Sequence, residues 1–425
     1  MLNKKLNTRV IFDVGLIFVV GFAVRIFIIN FLNYNIDYRS GDSGYYLDVA
    51  YNILNSGVHG TGSPAEPTFF RAPLYSLFAA GILSIFGENA LTFFVVQSVL
   101  SMVLGGAIYF MLSPHKPTLA FIAALMIVAS PSDIFFNGRV LGETLVAFFL
   151  VLGVVQLYIA KSSIQYFIAG LLFALASLVR DVYVLLPFFI IFYIILFRRE
   201  RAKFSVFLLA GLLFGIGPWV LRNAIQEDGG LFISKGASGY NLWVGTWERD
   251  PQWTIDQKFP TYAFNSDEER KTVKYAASDN DDKYMQHLAL TRLSDDLSGV
   301  IATWIKRAPR LWIGTRSDLV TFTYKRYSQE WYLIKYSLFV LNIVILISAF
   351  LGVLLAIKKR ESLGILVIPL IYTSFIYLPF HSTETRYSQP VYPLLLIFVA
   401  YFFIEIFMRF KPKRIEFLNV RVETI

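Results

Sequence analysis

Residues 165–197 read QYFIAGLLFALASLVRDVYVLLPFFIIFYIILF, two apolar runs separated by the adjacent charges Arg180 and Asp181. A single helix through this stretch would be about 48 Å long at about 1.5 Å per residue, whereas the hydrocarbon core of a bilayer is about 30 Å thick. Short, interrupted helices are tolerated in a membrane where they line a cavity. The stretch therefore predicts two short helices that meet at a charged turn.

The rest of the chain repeats this alternation of apolar segments and polar breaks. The protein has 425 residues, of which 56% are hydrophobic and 16% charged, a balance typical of polytopic membrane proteins. We therefore predict an all-α membrane protein, a bundle of about ten transmembrane helices. The predicted spans are 10–32, 90–112, 117–132, 142–160, 165–180, 182–197, 204–220, 333–357, 362–380 and 390–408.

Lys and Arg residues collect at alternate breaks, and the positive-inside rule assigns those breaks to the cytoplasm. The main groups are Lys4, Lys5 and Arg9, then Lys116, Lys161, Arg198–Lys203, Lys358–Arg360 and Arg409–Arg414. We therefore predict a multi-pass cell-membrane protein with both termini in the cytoplasm and its active site on the extracytoplasmic side.

Three regions follow from this topology. Residues 1–222 form an N-terminal transmembrane module, whose first outer loop, 33–89, is predicted to carry interfacial helices near 43–56 and 73–86. Residues 223–332 form a large extracytoplasmic loop of mixed structure, with a helical stretch near 284–313. Residues 333–425 supply the C-terminal transmembrane helices and a basic tail.

Composition also narrows the chemistry. The net charge of +9 is explained by topology, so nucleic acid is not predicted as a partner. The chain has no cysteine, which excludes disulfides and thiolate chemistry. It contains no P-loop, no glycine-rich dinucleotide fingerprint and no HExxH, and its four histidines are scattered. We therefore predict no metal and no cofactor.

Charged residues also gather at the extracytoplasmic breaks, where contact with lipid would cost about 2.5–3.5 kcal/mol per residue. Charges collected at one depth predict a polar pocket at this membrane face, and we expect the chemistry there. The candidate residues are Asp42, Arg71, Arg139, Glu143, Arg180, Asp181, Arg222, Glu384 and Arg386.

Asp42 begins a helical pattern that continues through Tyr45 and Tyr46. Its carboxylate fits a helix N-cap or a general base that accepts a proton from an acceptor hydroxyl, and the two roles are compatible. Arg71 stands between aromatic residues and Pro73. It fits an anchor for lipid headgroups or a phosphate ligand, because a guanidinium can bind two oxygens at once.

Several other charges admit a structural as well as a functional interpretation. Glu143 follows Arg139 by four residues, which predicts an ion pair along a helix. Arg180 stands beside Asp181, which would neutralise it. Arg222, at the end of an apolar segment, fits an interfacial anchor or a phosphate ligand.

The last outer turn contains His381, Glu384, Arg386 and Tyr387 immediately before a span that starts with proline. Helix capping would explain the proline at 390. It does not explain an acid, a base and an aromatic residue together. We therefore predict that this turn lines the pocket.

These motifs, in this order, resemble the integral-membrane glycosyltransferases of the GT-C fold. The resemblance is to bacterial protein-mannosyltransferase-like and aminoarabinose-transferase-like enzymes of glycosyltransferase family 39 and its relatives, over about residues 10–410. It is carried by Gly41-Asp42-Ser-Gly-Tyr45-Tyr46, Arg71-Ala-Pro73-Leu-Tyr75, Arg180 with Pro187, Pro218-Trp219 with Arg222-Asn223, and Arg386-Tyr387 with Pro390 and Pro393.

The resemblance implies a sugar donor linked to polyprenyl phosphate, Asp42 as the catalytic acid of the first loop, and Arg71 and Arg386 near the carrier phosphate. We also assign Tyr387 and Arg222 to the residues that bind the carrier phosphate. The donor or acceptor pocket is assigned Tyr45, Tyr46, Arg139, Glu143, Arg180, His381 and Glu384. Many relatives have a second acid where this chain has Ser43, which argues against a mechanism with two acids or a metal.

The predicted activity is inverting transfer of a sugar from a polyprenyl-phosphate carrier to an extracytoplasmic lipid, glycan or protein acceptor. Asp42 would act as the base, and arginines would stabilise the charge that develops on the phosphate. A transporter or flippase for lipid-linked sugars is one alternative, although it favours charges at mid-membrane and a repeat symmetry that the chain does not show. A polysaccharide polymerase or ligase is another.

Overall fold

The structure is a computed structural model. It describes residues 2–31, 42–226, 229–236, 238–247, 282–317, 328–359, 361, 363–380 and 384–410. His381 and the residue before Asp42 lie outside these ranges, as do much of the segment 223–332 and the basic tail.

The first part of the chain is a series of helices with one small hairpin. In chain order these are α1 (Leu2–Phe31), α2 (Asp42–Ser56), strands β1 (Gly60–Thr61) and β2 (Glu66–Pro67), α3 (Leu74–Phe86), α4 (Ala90–Leu112), α5 (Pro117–Val128), α6 (Pro131–Asn137), α7 (Glu143–Ile159) and α8 (Ser163–Val179). The two strands pair antiparallel, Gly60 with Pro67 and Thr61 with Glu66.

The remaining described elements are also helical. A 3₁₀ helix (Asp181–Leu185) leads into α9 (Leu186–Phe197), and another (Arg199–Phe204) leads into α10 (Ser205–Ala224). They are followed by α11 (Ser238–Gly245), α12 (Asp282–Asp295), α13 (Leu297–Arg307), the 3₁₀ helix Ala308–Leu311, α14 (Gln329–Lys358), α15 (Gly364–Ile376), the 3₁₀ helix Thr385–Val391 and α16 (Tyr392–Phe410).

Each of the ten predicted spans is a helix, but they differ in length. Among the described residues, five segments are long and apolar enough to cross a membrane alone: Arg9–Asn30, Ala90–Leu112, Arg199–Ala224, Gln329–Lys358 and Thr385–Arg409. Helices α5 and α6 would form a sixth span, bent by 49°. The other four predicted spans, α7, α8, Asp181–Phe197 and α15, are shorter apolar helices. The chain is therefore an all-α polytopic membrane protein in which several helices are too short to span as straight rods.

The break at Arg180 matches the prediction of two short helices. Arg180 leaves the helical conformation, with φ −145° and ψ 106°, and ends α8. The 3₁₀ helix then turns the chain into α9, whose first turn contains Pro187. The hydroxyl of Tyr372 donates to the carbonyl of Val182 and holds this turn against α15.

Glycine lets α8 and α10 approach closely. A Cβ atom added to Gly170 would lie 2.1 Å from the carbonyl oxygen of Leu208, and one added to Gly211 would lie 2.1 Å from that of Phe167. Small residues at such contacts are a common way to pack helices in lipid, where no hydrophobic force draws helices together. This packing fixes the ends of α8 and α10, which carry Arg180 and Arg222.

Candidate active site

Asp42 lies at the centre of the charged end of the bundle. It is the first residue of α2, and its Oδ1 lies 2.8 Å from Arg71 Nη2 while its Oδ2 lies 2.8 Å from Arg386 Nη2. Both carboxylate oxygens are thus held by guanidinium groups, one from the first loop and one from the turn before α16.

Glu143 is the second acid of the site and the first residue of α7. Its side chain is fully buried, and its Oε1 lies 2.5 Å from Arg386 Nε and 2.9 Å from Arg180 Nη2. A carboxylate at a helix N-terminus is also favoured by the helix dipole. Arg386 therefore bridges the two acids of the site.

These five residues, Asp42, Arg71, Glu143, Arg180 and Arg386, are called the central charge cluster below. Their three guanidinium groups and two carboxylates leave one net positive charge. Its members come from five separate parts of the chain: the start of α2, the loop before α3, the start of α7, the turn after α8, and the 3₁₀ helix Thr385–Val391.

The ionisation of Asp42 follows from this environment. Burial raises the pKa of its carboxyl. The positive charges of Arg71 and Arg386 together lower this pKa by more than burial raises it, so that it lies below the ordinary value. Asp42 is therefore ionised at neutral pH. It is also engaged on both oxygens, so it is a weak base until a guanidinium moves away.

Aromatic rings surround the guanidinium groups. The Cζ atom of Arg71 lies 5.6 Å, 5.3 Å and 5.3 Å from the ring centres of Tyr45, Tyr46 and Phe70. The Tyr387 ring lies 5.1 Å from Arg180 Cζ and 5.7 Å from Arg386 Cζ. These contacts orient the charges at distances typical of cation–π interactions. They place Tyr45, Tyr46 and Tyr387 beside the arginines of the central charge cluster.

The structure corrects two expected pairings. Arg180 forms its ion pair with Glu143, whereas the neighbouring Asp181 accepts a hydrogen bond from the Ser234 hydroxyl. The reason is backbone direction, because the turn at Arg180 sends successive side chains to different sides. Glu143 pairs with Arg180 and Arg386, and the described residues show no ion pair between Glu143 and Arg139. Glu384 is exposed.

Arg222 lies in a second group of residues, and in the described part of the chain it forms no ion pair or hydrogen bond with the central cluster. Its Cζ stacks 4.7 Å from the ring centre of Trp219 and 5.8 Å from that of Phe69, and its Nη1 donates to Asn223 Oδ1 at 3.0 Å. The Trp219 ring also contacts His59, with ring centres 5.0 Å apart. The role of Arg222 at the carrier phosphate stays a prediction.

Arg139 is buried beside the site, and its backbone is held by a residue that the sequence did not single out. Gln97 Nε2 donates to the carbonyl oxygens of Asn137 and Arg139 at 2.9 Å and 2.6 Å. The hydroxyl of Tyr75 donates to Gln97 Oε1 at 3.2 Å. The sequence feature that could have identified Gln97 is its polar side chain in the middle of the apolar stretch 90–112. Gln97 fixes the loop that leads to Glu143.

Two arginines of the segment 223–332 also reach the site region, although the sequence analysis did not single them out. Arg316 is buried, adopts φ 53°, and donates to Ser132 Oγ, Ser388 Oγ, the Thr385 carbonyl and Gln389 Oε1 at 3.1, 3.1, 3.1 and 2.8 Å. Arg307 donates to the carbonyls of Gly245 and Phe380, each at 2.6 Å. These bonds tie the described end of the loop to the turn that carries Arg386.

The comparisons with known proteins agree with this architecture. The profile of the dolichyl-phosphate-mannose-protein mannosyltransferase family matches residues 70–220 of the chain, which include Arg71, Glu143 and Arg180. No curated protein is similar enough in sequence to count as a match.

Among solved structures, the chain is similar to the archaeal oligosaccharyltransferase AglB from Archaeoglobus fulgidus in complex with an inhibitory peptide and a dolichol-phosphate. The TM-score is 0.51 at 12% sequence identity, and the match covers 92% of this chain. It covers 50% of the archaeal chain, so this protein spans half the length of that relative.

The fold and the site thus define a polytopic membrane protein of the GT-C fold class, with a cluster of buried charges at one end of its helices. This confirms the fold that the motifs indicated. The chain is similar, over part of its length, to glycosyltransferases whose names specify a dolichyl-phosphate sugar.

Proposed function

We propose that this protein is an inverting glycosyltransferase that moves a sugar from a polyprenyl-phosphate carrier to an acceptor hydroxyl on the extracytoplasmic side of the cell membrane. The observation that carries this proposal is the central charge cluster, in which one arginine bridges a partly exposed carboxylate and a buried one. The positive-inside pattern of the basic residues supports the proposed sidedness.

The carrier phosphate would bind Arg71 and Arg386. A sugar linked to polyprenyl phosphate is a phosphodiester with one negative charge, which the single net positive charge of the cluster complements. Guanidinium groups offer paired N–H donors that match two phosphate oxygens. Arg71 and Arg386 are also the arginines that contact Asp42, the more exposed of the two acids.

Binding of the phosphate would activate Asp42. A phosphate that takes N–H donors from Arg71 and Arg386 removes the groups that lower the Asp42 pKa. The freed carboxylate then accepts the proton of the acceptor hydroxyl. The acceptor oxygen bonds to the anomeric carbon as the bond from that carbon to the phosphate oxygen breaks. The electron pair of that bond stays on the polyprenyl phosphate, whose added negative charge the arginines stabilise.

Substitution of Asp42 tests this proposal. Asp42→Asn retains the shape of the side chain without the base, and we expect sugar transfer to fall by about 10²-fold or more. Binding of polyprenyl phosphate should persist, because the arginines remain. The matched control is Asp48→Asn, since Asp48 is an exposed acid on the same helix.

The measurements are transfer of radiolabelled sugar from lipid to acceptor in membrane vesicles and titration of the purified protein with polyprenyl phosphate. Near-normal transfer by Asp42→Asn would show that Asp42 is not the base. Failure of the unaltered protein to bind polyprenyl phosphate, bare or glycosylated, would rule out the donor class.

A further inference from the structure

A small polar cavity lies at the end of the bundle opposite the central charge cluster. Arg180 directly follows α8, whereas Tyr166, near the start of the same helix, lines the cavity. The 17 residues of α8 separate these two ends by about 25 Å. Arg198, directly after α9, also lines the cavity. The cavity is therefore distinct from the proposed active site, and the positive-inside rule assigns its arginines to the cytoplasmic side.

The polar lining of the cavity consists of cations and hydroxyl groups. Its arginines are Arg198 and Arg201, and its tyrosines are Tyr158, Tyr166 and Tyr193. Among the described residues, no acid belongs to the lining. Guanidinium groups donate hydrogen bonds and never accept them, and tyrosine hydroxyls can donate as well. A cavity with these groups and no carboxylate is complementary to an anion.

The positive charge of the two arginines is poorly compensated. The Arg198 side chain forms no ion pair or hydrogen bond with other residues that the structure describes. Arg201 Nε lies 4.0 Å from the exposed Glu200 Oε1, a pair that solvent screens, and its guanidinium also donates to the Tyr166 hydroxyl. The stretch Arg198–Lys203 contains four basic residues and one acid. The cavity therefore has the charge that an anionic ligand requires.

The size of the cavity limits the ligand to one small group. Its volume is about 50 Å³, which holds a few water molecules or one group of similar total size. Pockets that enclose a whole small molecule measure about 300–1,000 Å³, so a sugar or a nucleotide does not fit. A phosphate group does.

A helix N-terminus beside the cavity also favours an anion. Ile365, the second residue of α15, belongs to the lining, and the N-cap residue of this helix, Leu363, provides no side-chain hydrogen bond. The helix dipole places partial positive charge at this end. It adds to the charge of the two arginines.

The surroundings of the cavity favour a phosphate that belongs to a lipid. Leu196 and Phe197, immediately before Arg198, have exposed side chains, as does Val206 after the 3₁₀ helix. In a membrane these apolar groups contact acyl chains. Basic pockets between transmembrane helices on the cytoplasmic side are suited to anionic lipid headgroups. We propose that the cavity binds the phosphate of an anionic phospholipid of the cytoplasmic leaflet through Arg198 and Arg201.

This inference does not depend on the proposed function, and its test needs no transfer assay. The purified full chain in neutral detergent is titrated with phosphatidylglycerol, with phosphatidylcholine and with inorganic phosphate, and binding and the midpoint of thermal unfolding are measured. We expect phosphatidylglycerol to bind and to raise the midpoint, because a ligand that binds the folded state stabilises it. Phosphatidylcholine, whose ammonium would face the arginines, and inorganic phosphate, which has no acyl chains, should bind much more weakly.

Arg198→Gln should weaken phosphatidylglycerol binding about tenfold or more, because it removes charged donors to the phosphate. Arg199→Gln is the matched control. It removes the same charge from the next position, but Arg199 is exposed and does not line the cavity, so binding should weaken much less. Tyr193→Phe, which removes a single hydroxyl and retains the ring, should weaken binding about threefold.

Equal weakening by Arg198→Gln and Arg199→Gln would show that general surface charge attracts the lipid, and it would overturn the cavity as the site. Inorganic phosphate that binds as tightly as phosphatidylglycerol would overturn the lipid assignment, and equal binding of the two phospholipids would overturn the preference for an anionic headgroup. If Arg198→Gln does not fold, Tyr193→Phe decides the question, because unchanged binding in that variant would overturn the proposal.

Discussion

Arg386 Nε lies 2.5 Å from Glu143 Oε1, although the two residues are 243 positions apart in the chain. The Nη2 atom of the same guanidinium contacts Asp42 at 2.8 Å. One side chain thus joins the 3₁₀ helix Thr385–Val391 to the start of α2 and to the start of α7. Because a guanidinium is planar and carries several N–H donors, it can hold both acids at once. The bridge makes Arg386 the residue on which the geometry of the site depends most.

Arg386→Lys retains the charge and removes the bridge. A lysine ammonium is a compact charge that cannot reproduce the planar fork of arginine. We expect binding of polyprenyl phosphate to weaken about tenfold or more and sugar transfer to fall further, because Asp42 loses its position. Ligand titration and vesicle transfer assays would measure both effects. Arg409→Lys, an exposed change at the end of α16, is the control. Equal behaviour of the two variants would contradict a bridging role.

Glu143→Gln should destabilise the folded protein. It removes the buried charge that compensates Arg180 and Arg386, and loss of one partner from a buried ion pair typically costs about 3–5 kcal/mol. Thermal unfolding in detergent would show a lowered midpoint, and the exposed Glu66→Gln should not. Adding Arg180→Gln to Glu143→Gln should restore part of the loss, because the two residues interact directly. Simple additivity of the two changes would contradict the pairing.

Because His59 is buried, we expect the folded protein to be less stable in mildly acidic solution. Its ring is buried with neither nitrogen hydrogen-bonded in the described structure, and burial followed by the charge of Arg222 lowers its pKa to about 4. In the unfolded chain, histidine has a pKa of about 6.5. Between this pH and about 4, the unfolded chain therefore binds a proton at His59 that the folded protein does not bind. Stability should therefore fall as the pH drops from about 6.5 towards 4.

A comparison of unfolding midpoints over this pH range checks the prediction. His59→Phe should show a shallower fall than the unaltered protein, because it no longer contributes a titrating group. His115→Gln, a change at an exposed histidine, should retain the full slope. Parallel curves for His59→Phe and the unaltered protein would show that His59 is protonated in the folded state.

Arg316→Lys should loosen the segment 223–332. The Arg316 guanidinium makes four polar contacts with α6 and the 3₁₀ helix Thr385–Val391, and it stacks 3.9 Å from the Tyr392 ring centre. Lysine can satisfy only part of this set. We expect faster cleavage of residues 223–332 by added protease, while the exposed Lys283→Gln should leave the cleavage rate unchanged. An unaltered rate in Arg316→Lys would mean that other contacts hold the loop.

Local patterns were sufficient to predict the helices. Each segment that we predicted as a span is helical, although only five or six described helices are long enough to cross a membrane. The charge pair at Arg180 and Asp181 correctly indicated two short helices. The start of α2 at Asp42 was also predicted, since an acid followed by a helical pattern is a local signal. Lengths of single helices were less well predicted, because a short apolar helix and a full span differ by only a few residues at each end.

Pairing between side chains was not predictable in the same way. Arg180 is next to Asp181 in the sequence, and Arg139 stands four residues before Glu143. Closeness in the sequence suggested that each of these two would form an ion pair. In the folded protein, Glu143 instead forms ion pairs with Arg180 and Arg386, and Arg222 lies in a separate aromatic group. Arg316 carried no recognisable motif, since its partners lie in α6 and in the turn before α16.

The sequence by itself determined that the chain is a helical membrane protein with acids and arginines at one set of helix ends, because lipid selects apolar length and penalises isolated charge. Only the tertiary structure decided which of those charges meet. Each ion pair of the central cluster depends on how distant helix ends are packed against one another, and that packing is set by contacts such as Gly170 against α10, which no local pattern records.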